Sequence, residues 1–215
     1  MTPVEPRNPH AMLKRADTIV ALAAVAVVGI ALLALAATGT TDEFAAWAWA
    51  RHHNLLSWYI RVLFLLPFCY FAYRRSVAGI VLTLVALATS MFWFPAPERP
   101  DPRALEFLAM EREYLTGEWT AAKVLLGLLV PISLAALGLA FWKRSIVYGL
   151  VLINAIVLVK LGWSFYFGDQ SGGLTLLPSQ LVGLVICNAA VLYVRRRMHR
   201  RHELDRASAA RMHAG

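Results

Sequence analysis

The feature that most constrains this chain is the alternation of long apolar runs with short polar breaks. Six such runs lie at about 17–38, 54–73, 77–94, 121–142, 146–167 and 174–194. Each has close to the ~20 apolar residues that an α-helix needs to cross the hydrocarbon core of a bilayer. Backbone polar groups in lipid must be satisfied within the segment itself, which a helix achieves. The pattern therefore predicts an all-α, polytopic membrane protein with six transmembrane helices over residues 17–194.

Composition and the placement of charge support this prediction. Hydrophobic residues make up 59% of the 215 residues and charged residues 16%, where soluble domains have about a quarter charged. Basic pairs recur at every second break, and a basic run opens the tail; they are Lys14-Arg15, Arg74-Arg75, Lys143-Arg144 and residues 195–201. The alternate breaks carry acidic residues. By the positive-inside rule, we expect a bacterial inner-membrane protein with both termini cytoplasmic.

The two ends of the chain are expected to lie outside the helical domain. Residues 1–16 are polar and predict a disordered cytoplasmic N-terminal segment, and residues 195–215 predict a basic cytoplasmic tail held by anionic lipid. Despite the net charge of +8, no folded basic module with interleaved aromatic residues indicates nucleic-acid binding. Ala34-Leu35-Ala36 has the form of a signal-peptidase site, but the long apolar run favours retention of the first span.

One stretch, from Pro95 to Trp119, interrupts the apolar character of the chain. Its prolines end the third span, and Asp101 then stands as a helix N-cap with Pro102 at the first helical position. Gly117 is a suitable stop. The spacing predicts an external amphipathic helix over 102–117, and its apolar face consists of Ala104, Phe107, Leu108, Tyr114 and Leu115, with Glu111 in the middle. The other external connections are expected to be a loop over residues 40–53 and a short turn at Gly168–Gly173.

Two cations lie within the spans near the same external side. Arg61 and Lys160 each stand about seven residues from the external end of their helix, which is ~10 Å of depth at 1.5 Å per residue. Asn54 and Ser57 share the helix face of Arg61. Cations inside a bilayer almost always face the bundle interior or a cavity. These residues predict an outward-facing polar pocket beneath the external helix, with Glu111 or Glu118 as its carboxylates.

A pocket of this kind suits a binding or transport protein for a small anion or an anionic lipid, because Arg pairs with oxyanions through two N–H groups and Lys as a point charge. Three alternatives remain. The carboxylates could close a structural network with the cations, or the cations could extend to the headgroups as surface residues. The chain could be a membrane-embedded enzyme acting on a lipid-linked substrate, with Glu111 or Glu118 as acid/base and His52 or His53 assisting. It could also be a non-catalytic subunit of a larger complex, or a homo-oligomer.

The remaining sequence motifs give less information about function. No H-x-x-x-H, C-x-x-C or Gly-rich phosphate motif occurs, so we expect no metal and no cofactor, and a non-enzymatic role is favoured. Cys69 and Cys187 are expected to be reduced thiols in the apolar interior. The segments Tyr73-Arg74-Arg75-Ser76-Val77 and Trp142-Lys143-Arg144-Ser145-Ile146 match. They suggest either a duplicated helical hairpin or two turns under the same constraints.

Overall fold

The computed structural model describes the backbone of residues 9–167 and 169–213, where the regular elements are all helices and no strand occurs. It contains nine α-helices and a short 3₁₀ turn at Ser90–Phe92. The helices are α1 (Pro9–Ala37), α2 (Thr41–His52), α3 (Leu55–Leu63), α4 (Leu65–Arg74), α5 (Val77–Thr89), α6 (Pro102–Thr116), α7 (Ala121–Trp142), α8 (Ile146–Phe167) and α9 (Asp169–His213).

Among the described residues, five segments are long and apolar enough to cross a membrane, and they overlap five of the six predicted spans. They are Met12–Ala37, Leu55–Arg74, Ala121–Trp142, Ile146–Tyr166 and Leu177–Arg201. The third predicted span, 77–94, corresponds to the shorter apolar segment Val77–Phe92. The all-helical class with apolar, membrane-compatible helices is thus confirmed.

Two connections differ from the sequence prediction. Residues 40–53 were predicted as a loop, but α2 occupies most of them, with Asp42 and Glu43 in its first turn and Arg51 in its last. These charges favour a helix because they oppose its dipole. The turn predicted at Gly168–Gly173 is also wrong from Asp169 onward, where α9 has begun; Gly168 lies outside the described residues.

The two ends are more helical than expected. Residues 9–16 already belong to α1, and residues 1–8 lie outside the described part of the chain. At the other end α9 continues without a break from its apolar segment through the basic residues to His213. Arg and Ala are strong helix formers, so the basic run can extend the helix once it has been nucleated.

The second apolar segment is interrupted at Phe64, between α3 and α4. Pro67 has no N–H to donate to the carbonyl of Leu63, four residues earlier, and its ring clashes with that group. The N–H of Phe64 instead contacts the carbonyls of both Ile60 and Arg61 at 3.3 and 3.2 Å. The break separates the N-terminal turns of this segment, which carry Arg61, from its C-terminal half.

The two matching basic turns adopt the same backbone geometry. Arg75 and Arg144 have φ of 56° and 60°, in the left-handed region. In each turn the following serine donates its N–H to a carbonyl five residues back, from Ser76 to Phe71 and from Ser145 to Ala140. This is the Schellman ending of a helix. The sequence match therefore reflects a real structural repeat of the turn.

The repeated turns also hold each other. Arg75 donates its Nε–H to the carbonyl of Trp142 at 3.1 Å, and the guanidinium of Arg144 lies 5.4 Å from the ring centre of Tyr73. The main core lies directly behind the turns. It contains residues from α4, α7, α8 and α9, namely Phe68, Cys69, Ala72, Leu137, Phe141, Ile153, Cys187 and Val191. Both cysteines are free and buried there.

Helix α1 is attached to the rest of the bundle at the same end. The Asp17 carboxylate accepts hydrogen bonds from Ser76 Oγ at 2.5 Å and from the N–H of Val77 at 2.7 Å. These groups lie at the N-terminus of α5, where a carboxylate also complements the helix dipole. Most of the apolar surface of α1 is exposed, as expected of a helix that faces lipid.

Candidate functional site: a polar cluster around Arg61

Helix α6 begins and ends as its sequence predicts. The Asp101 side chain accepts the N–H of Arg103 at 2.8 Å, Pro102 occupies the first turn, and Gly117 follows the last residue. Ala104, Phe107 and Leu108 are buried, while Leu115, expected on the same face, is exposed. The amphipathic helix is therefore present as Pro102–Thr116, and its buried face is concentrated in its first two turns.

A second, smaller core fixes α6 over the end of α3. Trp58 is 5% exposed and packs edge-on against Phe107, with ring centres 5.6 Å apart. The Trp58 indole N–H donates to the carbonyl of His52 at 2.9 Å. This single tryptophan therefore joins α2, α3 and α6. Burying such a ring stabilises the junction by about 2–3 kcal/mol at ordinary transfer coefficients.

Arg61 lies beneath this core and bonds to a histidine. Its NH2 group lies 2.7 Å from Nδ1 of His52 and 3.5 Å from Oγ of Ser57, which is fully buried. Its NH1 group lies 3.5 Å from Nε2 of the same ring, so the short contact at Nδ1 is the stronger of the two. An arginine guanidinium donates hydrogen bonds and accepts none, so Nδ1 must be the unprotonated, accepting nitrogen of a neutral imidazole. The proton of that imidazole then lies on Nε2.

The remaining charged residues adjoin this pair. Glu111 of α6 places Oε2 3.7 Å from Nε2 of His52, and the carboxylate side chain is about one-third exposed. Lys160 of α8 forms no hydrogen bond or ion pair with these residues in the described part of the chain, and it interacts with Glu111 and Arg61 through its charge alone. We call the five residues His52, Ser57, Arg61, Glu111 and Lys160 the Arg61 cluster.

Burial decides the charge of the histidine. His52 is 7% exposed, and this desolvation lowers the pKa of the imidazole below its ordinary 6.5, with a smaller lowering from Arg61 and opposing contributions from Glu111. His52 is therefore neutral at pH 7, in agreement with its acceptance of a hydrogen bond from Arg61. The formal charges of Arg61, Lys160 and Glu111 then sum to +1.

Two of the predicted site residues lie elsewhere. Asn54 is the N-cap of α3, where Oδ1 accepts the N–H of Leu56 at 3.1 Å and Nδ2 donates to the carbonyl of Pro95 at 3.0 Å. It fixes the connection before α6. Glu118 is exposed, and the bond recorded for it runs from Lys123 Nζ to its backbone carbonyl at 3.3 Å. The structure therefore brings together Arg61, Ser57, Glu111 and Lys160 but not these two.

Lys123 forms a separate buried contact that the sequence prediction did not include. It is 8% exposed, and its ammonium also donates to the carbonyl of Gly117 at 3.2 Å. The rings of Tyr114 and Trp119 lie 4.7 and 5.2 Å from Nζ. This cation closes the C-terminus of α6 and joins it to α7, which makes it a positioning residue for the helix that carries Glu111.

The sequence prediction underestimated the role of His52. This residue was considered as an assistant to a carboxylate, whereas the structure makes it the direct partner of Arg61. The available signal was the helical pattern of residues 41–52, because His52 then falls at a helix end immediately before a second helix. Two helices that reverse direction over two residues bring such terminal side chains together.

In this arrangement the lone pair on Nδ1 of His52 is engaged by Arg61, whereas a general base needs a nitrogen lone pair directed at the substrate. A cavity of about 150 Å³ lies on the other side of Trp58 and is lined by residues of α3 and α9 and by the start of α6, including Tyr59, Arg103 and Ser179. The charged residues of the Arg61 cluster do not line this cavity.

No protein-family model, no curated protein and no solved structure matches this chain.

Proposed function

We propose that this chain is a six-span inner-membrane protein that binds a singly charged oxyanion, carried by a small molecule or by a lipid headgroup, at the Arg61 cluster. Both termini lie in the cytoplasm, and α6 lies on the external face. Transport of the bound anion across the membrane is the extension of this role that the polytopic architecture allows.

The contacts of α5 support the sixth crossing. Its N-terminus lies at the Arg75 turn, which contacts the Arg144 turn through Trp142. Its far end reaches Phe92, whose ring lies 5.5 Å from that of Trp47 in α2. The segment Val77–Phe92 spans ~24 Å at 1.5 Å per residue, short of the ~30 Å hydrocarbon thickness by an amount that local bilayer thinning accommodates. It thus connects the basic end of the bundle with the end that carries α6.

The observation that carries the proposal is the short bond between Arg61 and a neutral histidine. If Arg61 were paired directly with Glu111, the cluster would be a closed ion pair, and the remaining charge would be that of Lys160 alone. Instead its shortest bond, 2.7 Å, is to Nδ1 of His52. A guanidinium held by neutral acceptors at the base of a desolvated site retains its attraction for an anion.

A singly charged group fits the empty cluster best. While His52 is neutral, the formal charge of +1 is balanced by one carboxylate or one phosphodiester, whereas a doubly charged phosphate monoester would leave an excess negative charge in a low-dielectric site. Lys160 belongs to a helix long and apolar enough to cross a membrane, which makes a lipid headgroup one source of the anion, and the external solution is the other.

The proposal is tested by binding to the purified protein in nanodiscs of phosphatidylcholine. Dimethyl phosphate serves as the free phosphodiester, and dihexanoyl phosphatidylglycerol serves as the same group on a lipid. We expect saturable binding of at least one probe. Binding of the lipid alone would assign the site to headgroups, and comparable binding of both would assign it to the oxyanion itself.

Variants locate the binding in the cluster. Arg61→Gln and Lys160→Gln should each weaken the affinity, by about 10- to 100-fold for Arg61, given ~1.5–3 kcal/mol for a charged hydrogen bond. Arg112→Gln on the exposed face of α6 is the matched control and should leave the affinity unchanged. Equal affinities of the wild type and Arg61→Gln, or no binding of either probe, would refute the proposed function.

A further inference from the structure

The hydrogen bond between Arg61 and His52 can exist in one protonation state of the histidine. Arg61 donates to Nδ1, and a doubly protonated imidazole has an N–H at that position in place of a lone pair. Two donors would then face each other across 2.7 Å, and two positive charges would be in contact. Protonation of His52 must therefore break this bond.

We propose that the Arg61 cluster binds its anion together with one proton, which His52 accepts at Nδ1 as Arg61 turns from the histidine to the anion. This inference rests on the proposed function of the cluster, and it adds the sign and the stoichiometry of a proton linkage. An anion and a proton enter together, so the charge of the occupied cluster equals that of the empty one.

The exchange of partners balances. In the empty cluster, Arg61 donates to His52, and the Nε2 proton of His52 lies toward Glu111. When an anion takes the Arg61 donors, Nδ1 loses its donor and becomes available for a proton from the external solution. The imidazolium keeps Nε2–H toward Glu111 and adds a positive charge beside the anion.

The groups around His52 make this linkage selective. On its own helix His53 is adjacent, and the ring of Trp49 meets the imidazole edge-on at 5.6 Å between centres. From α3 Arg61 opposes protonation, and from α6 Glu111 favours it. Lys160 of α8 adds a further positive charge to the cluster. The empty site therefore disfavours the proton, and a bound anion shifts the balance toward protonation by offsetting the positive charge of Arg61.

The direction of the linkage follows from the state of the empty site. Burial holds the pKa of His52 below 6.5 there, so the histidine is neutral at pH 7. A bound anion raises that pKa. Linkage is reciprocal, so the affinity for the anion must increase as the pH falls, approaching tenfold per pH unit for one proton between the two pKa values of His52.

The test measures dimethyl phosphate binding in phosphatidylcholine nanodiscs by calorimetry from about pH 5.5 to 8.5. The probe keeps its charge throughout this range, so any change belongs to the protein. We expect tighter binding at low pH, and measurements in two buffers of different ionisation enthalpy should show net proton uptake approaching one per anion below neutrality. If dimethyl phosphate fails to bind but dihexanoyl phosphatidylglycerol binds, the same measurements use the lipid.

Matched variants separate the outcomes. His52→Gln, which cannot take the proton, should give a pH-independent affinity and no proton uptake, while His53→Gln should behave as the wild type. Proton uptake in the wild type is measured without any variant, so a misfolded His52→Gln does not prevent the test. Binding of a probe with no pH dependence and no proton uptake overturns this inference alone. Persistent uptake in folded His52→Gln also overturns it, and no binding of either probe removes the proposed function with it.

Discussion

Arginines at the two ends of the bundle are satisfied in different ways. At the basic end Arg75 donates to a backbone carbonyl at 3.1 Å, and Arg144 lies over the ring of Tyr73. At the end covered by α6, Arg61 donates to an imidazole at 2.7 Å. A carbonyl and a phenol ring keep their character over the physiological pH range, but an imidazole does not. The arginine contacts at the first end therefore do not depend on pH, and the hydrogen bond at the second end does. We call the arginine contacts at the basic end a clasp.

The surrounding packing matches this difference. The turns at Arg75 and Arg144 close a core of eight buried residues contributed by four helices. The Arg61 cluster lies beneath a smaller core, formed by Trp58, Ala104, Phe107 and Leu108. A small core and a helix attached by a few contacts open at a lower free-energy cost than a central core does. We therefore expect the basic end to contribute most of the stability, and the end with α6 to open for a ligand.

The largest loss of stability should come from adding a methyl group at a tightly packed glycine at either end. A Cβ at Gly183 would lie 2.0 Å from Cγ1 and 2.6 Å from Cβ of Val62, the residue after Arg61. A Cβ at Gly149 would lie 2.4 Å from the ring of Phe141 at the basic end. Overpacking costs about 1–3 kcal/mol, or about 2–12 °C of Tm for a chain of this size.

The comparison predicts different consequences for binding. Gly183→Ala and Gly149→Ala should both lower the apparent Tm in detergent, but Gly183→Ala should also weaken binding of dimethyl phosphate, because it displaces the helix turn that carries Arg61. Gly127→Ala, with no atom within 4 Å of its added Cβ, is the control and should not lower the Tm. Equal loss of binding in the variants at Gly183 and Gly149 would contradict the division between the two ends.

A smaller effect is expected from removing a clasp arginine. Arg75→Asn keeps a residue that tolerates the left-handed φ of 56° and removes the guanidinium. Arg75 is exposed, so solvent screens its charge and the loss of this bond costs about 0.5–1.5 kcal/mol. The apparent Tm should therefore fall by about 1–6 °C. Anion affinity should stay at the wild-type value. A pH-dependent change in affinity would show that this arginine also belongs to the binding machinery.

The pH dependence of stability provides a third test. The folded pKa of His52 is below that of the unfolded chain, because burial disfavours the imidazolium. Between those values the unfolded state binds more protons, so His52 lowers stability as the pH falls through 6.5 and has no such effect above it. The ligand-free wild type should therefore lose more Tm between about pH 7.5 and 5.5 than His52→Gln does, while its affinity for the anion rises.

His53→Gln serves as the control for this measurement, because Nδ1 of His53 contacts the carbonyl of Trp49 at 2.9 Å and is not bonded to Arg61. Its Tm should follow the wild type across the same pH range. If the Tm of His52→Gln fell as steeply with pH as that of the wild type, His52 would not be the histidine that titrates. That result would contradict the contacts described for His52.

Local signals predicted much of this fold. The limits of α6 follow from Asp101, Pro102 and Gly117, since each acts on its own helix end. The apolar helices follow from length and composition. The break at Phe64 depends on Pro67 and was not predicted, although its cause is also local. The helix α2 was missed because its many aromatic residues were assigned to the headgroup layer.

The candidate site could be predicted in part. Arg61 and Lys160 were chosen by their depth, and Glu111 by its place on an apolar helix face. The bond from Arg61 to His52 depends on how α2 and α3 reverse at His53 and Asn54, and the repositioning of Glu118 depends on the clamp formed by Lys123. Such contacts are set by tertiary packing, which residue periodicity does not encode.

The smallest effect is expected at Asn154 and Asn188, a polar pair between α8 and α9 that behaves as a further clasp. Each amide donates to the other, at 3.0 and 3.4 Å, and each also donates to a carbonyl of its own helix. Side-chain hydrogen bonds between membrane helices contribute about 0.6 kcal/mol on average. Asn154→Leu or Asn188→Leu alone leaves the other amide without its partner across the helices. The double variant should therefore lower the apparent Tm by less than the sum of the two single variants. A double-mutant cycle on the apparent Tm measures this coupling. Because neither amide titrates, the coupling should be the same at pH 5.5 and 7.5, and a pH-dependent value would mean that the proton linkage of the Arg61 cluster extends into the middle of the bundle.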